Sequence, residues 1–226
     1  MTQRRLCALA LGSVVLVAGC GTVVPGTATP AREAAPSRPL GELLLEPEAF
    51  PPAYPAVVLP AQAVSQAAPD LTGIATGARV VPPGCKPPQQ DYGPNGTAMV
   101  VGTDSTTRST ITVELVRAGP PLAELEAQLV ECPDVTATAN GVDVAVRTTV
   151  TPPPGIEADD TLALRRTVES GRQGGTVTQS MLTLIAQVDD VRIQVTYMSF
   201  GDEPGGTDAA ILDELFTTAV QKVRTG

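Results

Sequence analysis

The residues of this 226-residue chain best suited to chemistry are four cysteines, two carboxylate pairs and a set of arginines on alternating strands. Histidine is absent. That removes the Ser-His-Asp and Cys-His nucleophilic arrangements, and no GxSxG, HExxH or SxxK motif stands in the chain. Asp159-Asp160 and Asp189-Asp190 could serve acid–base work or hold a cation, but neighbours on a strand point to opposite faces, and Asp189-Asp190 lies where two apolar runs must reverse. Both pairs read as turn residues. The loop "GDEPGGTD", with Asp202, Glu203 and Asp208, lacks the ligand spacing of a calcium loop and reads as an exposed connection into a helix capped by Thr207. The expectation is a protein with no catalytic residues, no cofactor and no metal, hence not an enzyme.

The cysteines divide by position. Arg4 and Arg5 precede an apolar run from Leu6 to Val17, then Ala18-Gly19-Cys20. A basic start, an apolar stretch and small residues form a secretory signal, residues 1–19. The run is about a dozen residues, short of the roughly 20 that span a bilayer. The aromatic and leucine context of twin-arginine export is missing, so general secretion is favoured. Val17-Ala18-Gly19-Cys20 resembles the lipobox of bacterial lipoproteins, which implies a diacylglyceryl group on Cys20 and a chain held at the membrane, facing the extracytoplasmic side. Two acyl chains give a firm anchor where one is marginal. Residues 20–41, rich in Pro, Thr, Ala and Gly, read as a tether. Its threonines and the Asn95-Gly96-Thr97 triplet read as linker and turn rather than as glycosylation sites.

Cys7 falls in the signal and Cys20 carries lipid, which leaves Cys85 and Cys132. In an oxidising compartment two cysteines read as one disulfide, with two separate buried thiols as the alternative. Without histidine or a CxxC spacing they offer no zinc site. Cys85 sits in the rigid segment "VVPPGCKPP", so a bridge would pin that segment to the helix that ends at Cys132.

Residues 42–226 read as a single domain. The chain's formal charge of −9 argues against nucleic acid as a partner. Alternation makes strands of Thr97 to Gly102, "TITVELV" (Ile111, Val113, Leu115 inward), "VDVAVRTTV" (Val142, Val144, Val146 on one face), Leu162 to Val168, and "QSMLTLIAQVDDVRIQVTYMSF" with Val191, Ile193, Val195 and Tyr197 inward. Asn140-Gly141 is a hairpin turn. Helical spacing appears in "PPLAELEAQLVEC" (Leu122, Leu125, Leu129, Val130), from Asp208 to about Val223, and more weakly over Ala61 to Ala68. Together these elements specify an α+β fold, an antiparallel sheet with amphipathic helices on one face and one disulfide.

The lipobox, the Pro/Thr tether, "ELLLEPEAFPPAYPA", "VVPPGCKPP", a helix ending in "LVECP" and the last amphipathic helix together resemble an actinobacterial, mycobacterial-type lipoprotein family of unassigned function. More distantly, residues 42–226 resemble the extracellular sensor domain of the mycobacterial type H membrane serine/threonine kinase. That resemblance implies an antiparallel sheet flanked by helices, with a ligand cleft. The sensors commonly carry two disulfides, whereas this chain can form one, and no site residue carries over. On the sheet face opposite the helices, alternation is expected to gather Arg147, Arg165, Arg192 and Gln194, with Thr112 and Glu114, into a surface for an anionic or sugar-bearing ligand. The expected function is a lipid-anchored binding or sensor-like module. Its expected partners are the membrane, through the anchor, and an envelope lipid, glycan or exported protein. The alternative is an envelope scaffold with no small-molecule ligand.

Overall fold

Nine antiparallel strands form one sheet in the order β1-β3-β4-β9-β8-β7-β6-β5-β2. In chain order the elements are α1 (Leu40–Leu43), β1 (Ala56–Val58), α2 (Ala61–Ala67), β2 (Arg79–Val81), β3 (Thr97–Asp104), β4 (Ser109–Arg117), α3 (Leu122–Glu131), β5 (Asp134–Ala139), β6 (Val142–Thr151), β7 (Asp160–Arg172), β8 (Gly175–Val188), β9 (Val191–Phe200) and α4 (Gly206–Thr225). They come from a computed structural model that describes residues 38–117, 119–153, 155–172, 175–201 and 206–226. Cys20 and its lipidation, the signal, most of the tether, and Asp202 and Glu203 lie outside the described residues. So does the Thr207 side chain expected to cap α4. Leu40, ahead of Glu42, is fully buried.

The α+β fold and the antiparallel sheet are as expected, while the helices divide between both faces. On one face α4 lies across β4, β9 and β8. Its Leu212, Leu215, Phe216, Ala219, Val220 and Val223 meet Ile111, Val113, Leu115, Leu184, Ile193, Val195 and Tyr197 in one buried cluster. Spacing of three and four residues brings these α4 side chains onto one stripe. Each large side chain so buried contributes roughly 1.5–3 kcal/mol. Leu40, Leu43, Leu44, Leu45, Phe50 and Tyr54 close the rim of that cluster. At the N-terminal end of α4, Asp208 accepts hydrogen bonds from the Tyr54 hydroxyl at 3.0 Å and the Tyr197 hydroxyl at 3.4 Å. Burial pushes the Tyr54 phenol up to about 12.

The other face carries α2 and α3. α3 sets Leu122, Leu125 and Leu129 on Leu162, Leu164 and Ile185. Val130, expected on that stripe, is 63% exposed. α2 and the 3₁₀ turn after it seat Val64, Ala68 and Leu71 on Met99 of β3. The strand Ile111 to Leu115, expected to be half-buried, is buried on both faces, Thr112 and Glu114 included.

The hairpin turns follow the local sequence. Asn140 and Gly141 both take positive φ, 51° and 71°, between β5 and β6, the conformation that an Asn-Gly turn supplies. Asp189 takes φ 48° between β8 and β9, and Asp190 reaches Arg117 at 2.8 Å, so this pair is a turn as expected. Asp159 accepts from the Asp189 backbone N–H at 2.7 Å. Cys85 and Cys132 are joined as a disulfide.

Candidate functional site: a roofed cleft on the sheet

Between α3 and the segment that follows α2, the sheet is left without a helix on it, and there the residue types of the floor change. Beneath α3 the sheet presents Leu162, Leu164 and Ile185, and beneath α2 it presents Met99. In the gap it presents Glu114, Gln194, Thr183 and Arg192. The result is a cleft of about 500 Å³, a size that suits a small organic ligand.

Its roof is built by the disulfide. The bridge ties the 3₁₀ turn Pro83–Cys85 to the residue after α3, and the Gln128 side-chain amide donates to the backbone carbonyls of Gly84 and Lys86 at 3.2 and 3.0 Å. The proline-rich segment 85–92 is thereby held over the floor. The opposite wall turns on Gly73, whose φ of 69° ends the 3₁₀ turn. A Cβ there would stand 2.5 Å from Val168, so glycine meets both the left-handed backbone and the close approach.

The polar end of the cleft is a connected set. The Gln90 amide donates to Glu114 Oε1 at 2.7 Å and to Thr97 Oγ1 at 3.1 Å, and the Gln194 amide donates to Glu114 Oε2 at 3.0 Å. Glu114 is 3% exposed, and desolvation pushes its carboxyl up to about 7 against the lowering effects of the Gln90 hydrogen bond and the nearby Arg192 charge. Arg192, 9% exposed, donates through Nη2 to the Pro120 carbonyl at 2.5 Å, while its Nε–H is buried with no partner. Burial draws its pKa down, with the Glu114 charge opposing. Further along the floor Arg166 donates to Thr148 Oγ1 at 3.1 Å and to the Leu71 carbonyl at 2.6 Å, tying floor to wall. Desolvation takes this guanidinium down to about 10, so it stays charged at neutral pH.

Of the four residues expected to form one ligand surface, the structure brings Arg192 and Gln194 into the cleft beside Glu114. Arg147 and Arg165 belong to the opposite sheet face. Arg147 stands across from Thr167 and Arg165 from Thr149, while the cleft side of the same hairpin carries Thr148 and Arg166. Arg147 is instead an exposed partner of Asp134 at 2.9 Å. The reason is a change of sides in the sheet. On β6 the apolar Val146 points to the cleft face, whereas on β9 the apolar Val195 points to the α4 face. "Opposite the apolar residues" therefore names different faces on the two strands. Arg166, Gln90, Tyr92 and Lys86 were missed. The loop residues have no period to read, and Arg166 was obscured by its neighbour Arg165.

Fold and site together define a nine-stranded antiparallel α+β module with a disulfide-roofed cleft. The chain belongs to the family described as "Domain of unknown function (DUF5642)", which matches residues 47–224. No curated protein matches it. Two solved structures are similar. One is an uncharacterized protein (Rv0999 ortholog) from Mycobacterium smegmatis, with 19% identity, a TM-score of 0.44, and coverage of 78% of this chain and 92% of that one. The other is the extracellular domain of PknH from Mycobacterium tuberculosis, with 13% identity, a TM-score of 0.40, and coverage of 81% and 98%.

Proposed function

We propose that this protein is a lipid-anchored, extracytoplasmic binding module, held at the membrane through Cys20, whose roofed cleft takes a cell-envelope ligand without chemical turnover. The observation that carries the reading is Arg192, nine-tenths buried in a cleft of about 500 Å³ with its Nε–H unpartnered. A buried donor left unsatisfied costs about 1–3 kcal/mol, a cost that an occupant with an acceptor at that point would remove. The exterior location is supported by the secretory pattern at the start of the chain and by a disulfide that builds the cleft roof. Among the described residues, no helix is long and apolar enough to cross a membrane.

The test is equilibrium binding of the purified protein to fractionated envelope lipids and glycans, with acyl labelling of Cys20 in cells alongside. Saturable binding of a fraction that Arg192→Gln abolishes is the expected result. No binding of any fraction, or binding indifferent to that substitution, contradicts the reading.

A further inference from the structure

Resting on the binding-module reading, we infer that the occupant of the cleft is a single-chain anionic amphiphile, with a carboxylate or phosphate head on Arg192 and an apolar chain running along the floor between α3 and the wall after α2.

Charge comes first. The cleft is lined by Lys86, Arg166 and Arg192 against one acid, Glu114, in a chain whose formal charge is −9. A cationic cleft in an acidic protein concentrates anions by its local field. Glu114 opposes this least where its raised carboxyl is protonated, and both of its oxygens are already held by Gln90 and Gln194.

Placement of the head follows from which guanidinium has a donor to give. Arg166 has Nε on Thr148 and Nη1 on Leu71, so it is engaged in tying floor to wall. Arg192, a residue of the lining, has one bond to the Pro120 carbonyl and a buried Nε–H with no partner. A planar guanidinium pairs with the oxygens of carboxylate or phosphate, and charge-assisted bonds of this kind are stronger than those to neutral acceptors.

Length and lining give the chain. Arg192 lies six residues before Met198 on β9, and Met198 is in register with Met181 of β8, which is opposite Arg166 of β7. At about 3.3 Å per residue the two guanidinium-bearing positions are separated by roughly 20 Å along the strands. Between them the cleft is walled by Leu125 and Leu129 of α3 and by Leu71 and Ile74, with Leu164 and Ile185 on the floor. A compact polar anion would leave these walls uncovered. An extended apolar chain attached to the head covers them.

Isothermal titration with dodecyl phosphate, dodecanoate, dodecanol and inorganic phosphate tests the assignment on the intact protein. Dodecyl phosphate and dodecanoate are expected to bind one per chain, and their ratio shows which head the site prefers. Dodecanol should bind about tenfold more weakly or worse, since it lacks the charge-assisted bond, and inorganic phosphate should not bind measurably. Arg192→Lys keeps the charge but loses Nε, and should weaken both anionic amphiphiles about tenfold and dodecanol by a smaller factor, since a hydroxyl accepts only a neutral bond. Leu129→Gln, at the partly exposed wall, should weaken all three chain-bearing probes. Equal affinity for dodecanol and dodecyl phosphate overturns the head assignment, and equal affinity for inorganic phosphate overturns the chain. An envelope fraction that binds while every dodecyl probe fails overturns this ligand class and leaves the binding module standing. Failure of all probes and all fractions overturns both.

Discussion

The two faces of the sheet use the same strands for different ends. Under α4 the strands present Val113, Leu115, Ile193 and Val195, all fully buried and matched by apolar helix side chains. One residue along, the same strands present Glu114, Arg192 and Gln194 to a cleft. The first face has its apolar surface covered by a helix of the same chain. The second has a polar strip between two helical walls and a roof that depends on a disulfide. A helix would satisfy an apolar floor but not a buried carboxyl and guanidinium, so the polar strip marks the part of the sheet that was not built to receive a helix. The larger apolar cluster lies on the α4 face, and the recognition proposed above falls to the cleft face.

Breaking the α4 face should have the largest effect. Phe216 is 1% exposed within the main cluster, and Phe216→Ala is expected to cost about 3–5 kcal/mol. Urea denaturation followed by circular dichroism measures this. A loss below 1 kcal/mol would mean that α4 does not hold the fold.

The disulfide comes next. Cys85→Ala and Cys132→Ala are each expected to lose about 2–5 kcal/mol, and the double variant little more than either, because the bridge is one object. Its loss should also impair binding out of proportion to the unfolded fraction, since the bridge holds segment 85–92 over the cleft. Thiol labelling of unfolded, unreduced protein should find neither cysteine free.

A smaller effect, and one specific to the cleft face, is the pH dependence set by Glu114. Its carboxyl rises from 4.5 unfolded to about 7 folded, so the folded state holds the extra proton between these values. Stability from this group is fully present below pH 4.5, falls as pH rises toward 7 and is flat beyond, a total of about 3 kcal/mol. Glu114→Gln should remove that slope. Wild-type stability that rises between pH 5 and 7, with no change of slope in the variant, would refute the assignment.

The smallest expected effect lies off the cleft. Arg165→Gln and Arg147→Gln should leave both the denaturation midpoint and the binding of envelope fractions essentially unaltered, because both side chains are exposed on the other face. A loss of binding from either would return them to the site.

Much of this was legible in the sequence because alternation and helical spacing are local. The strands from Ile111, Val142 and Val191, the Asn140-Gly141 turn, the last helix and the Cys85–Cys132 bridge all follow from residue type and order. Alternation tells which residues of one strand share a side, but only the register across β7, β8 and β9 tells which sheet face that side becomes. Arg147 and Arg192 therefore looked equivalent and are not. The same register would have set Arg166, not Arg165, beside Thr148 in the cleft. Val130 was lost for a related reason: it is adjacent to Leu129, and the stripe through Leu122, Leu125 and Leu129 leaves it on the solvent side. Gln90 and Tyr92 lie in an aperiodic segment whose position over the sheet is fixed by the distant Cys132 and Gln128, contacts with no local signature.

The division of labour between the faces is tested most directly by hydrogen exchange of the intact protein with and without a saturating envelope-lipid fraction. Slowed exchange confined to α3 and to segment 85–92, with α4 unchanged, is the expected result. Protection that falls on α4 instead, or on neither face, would contradict it.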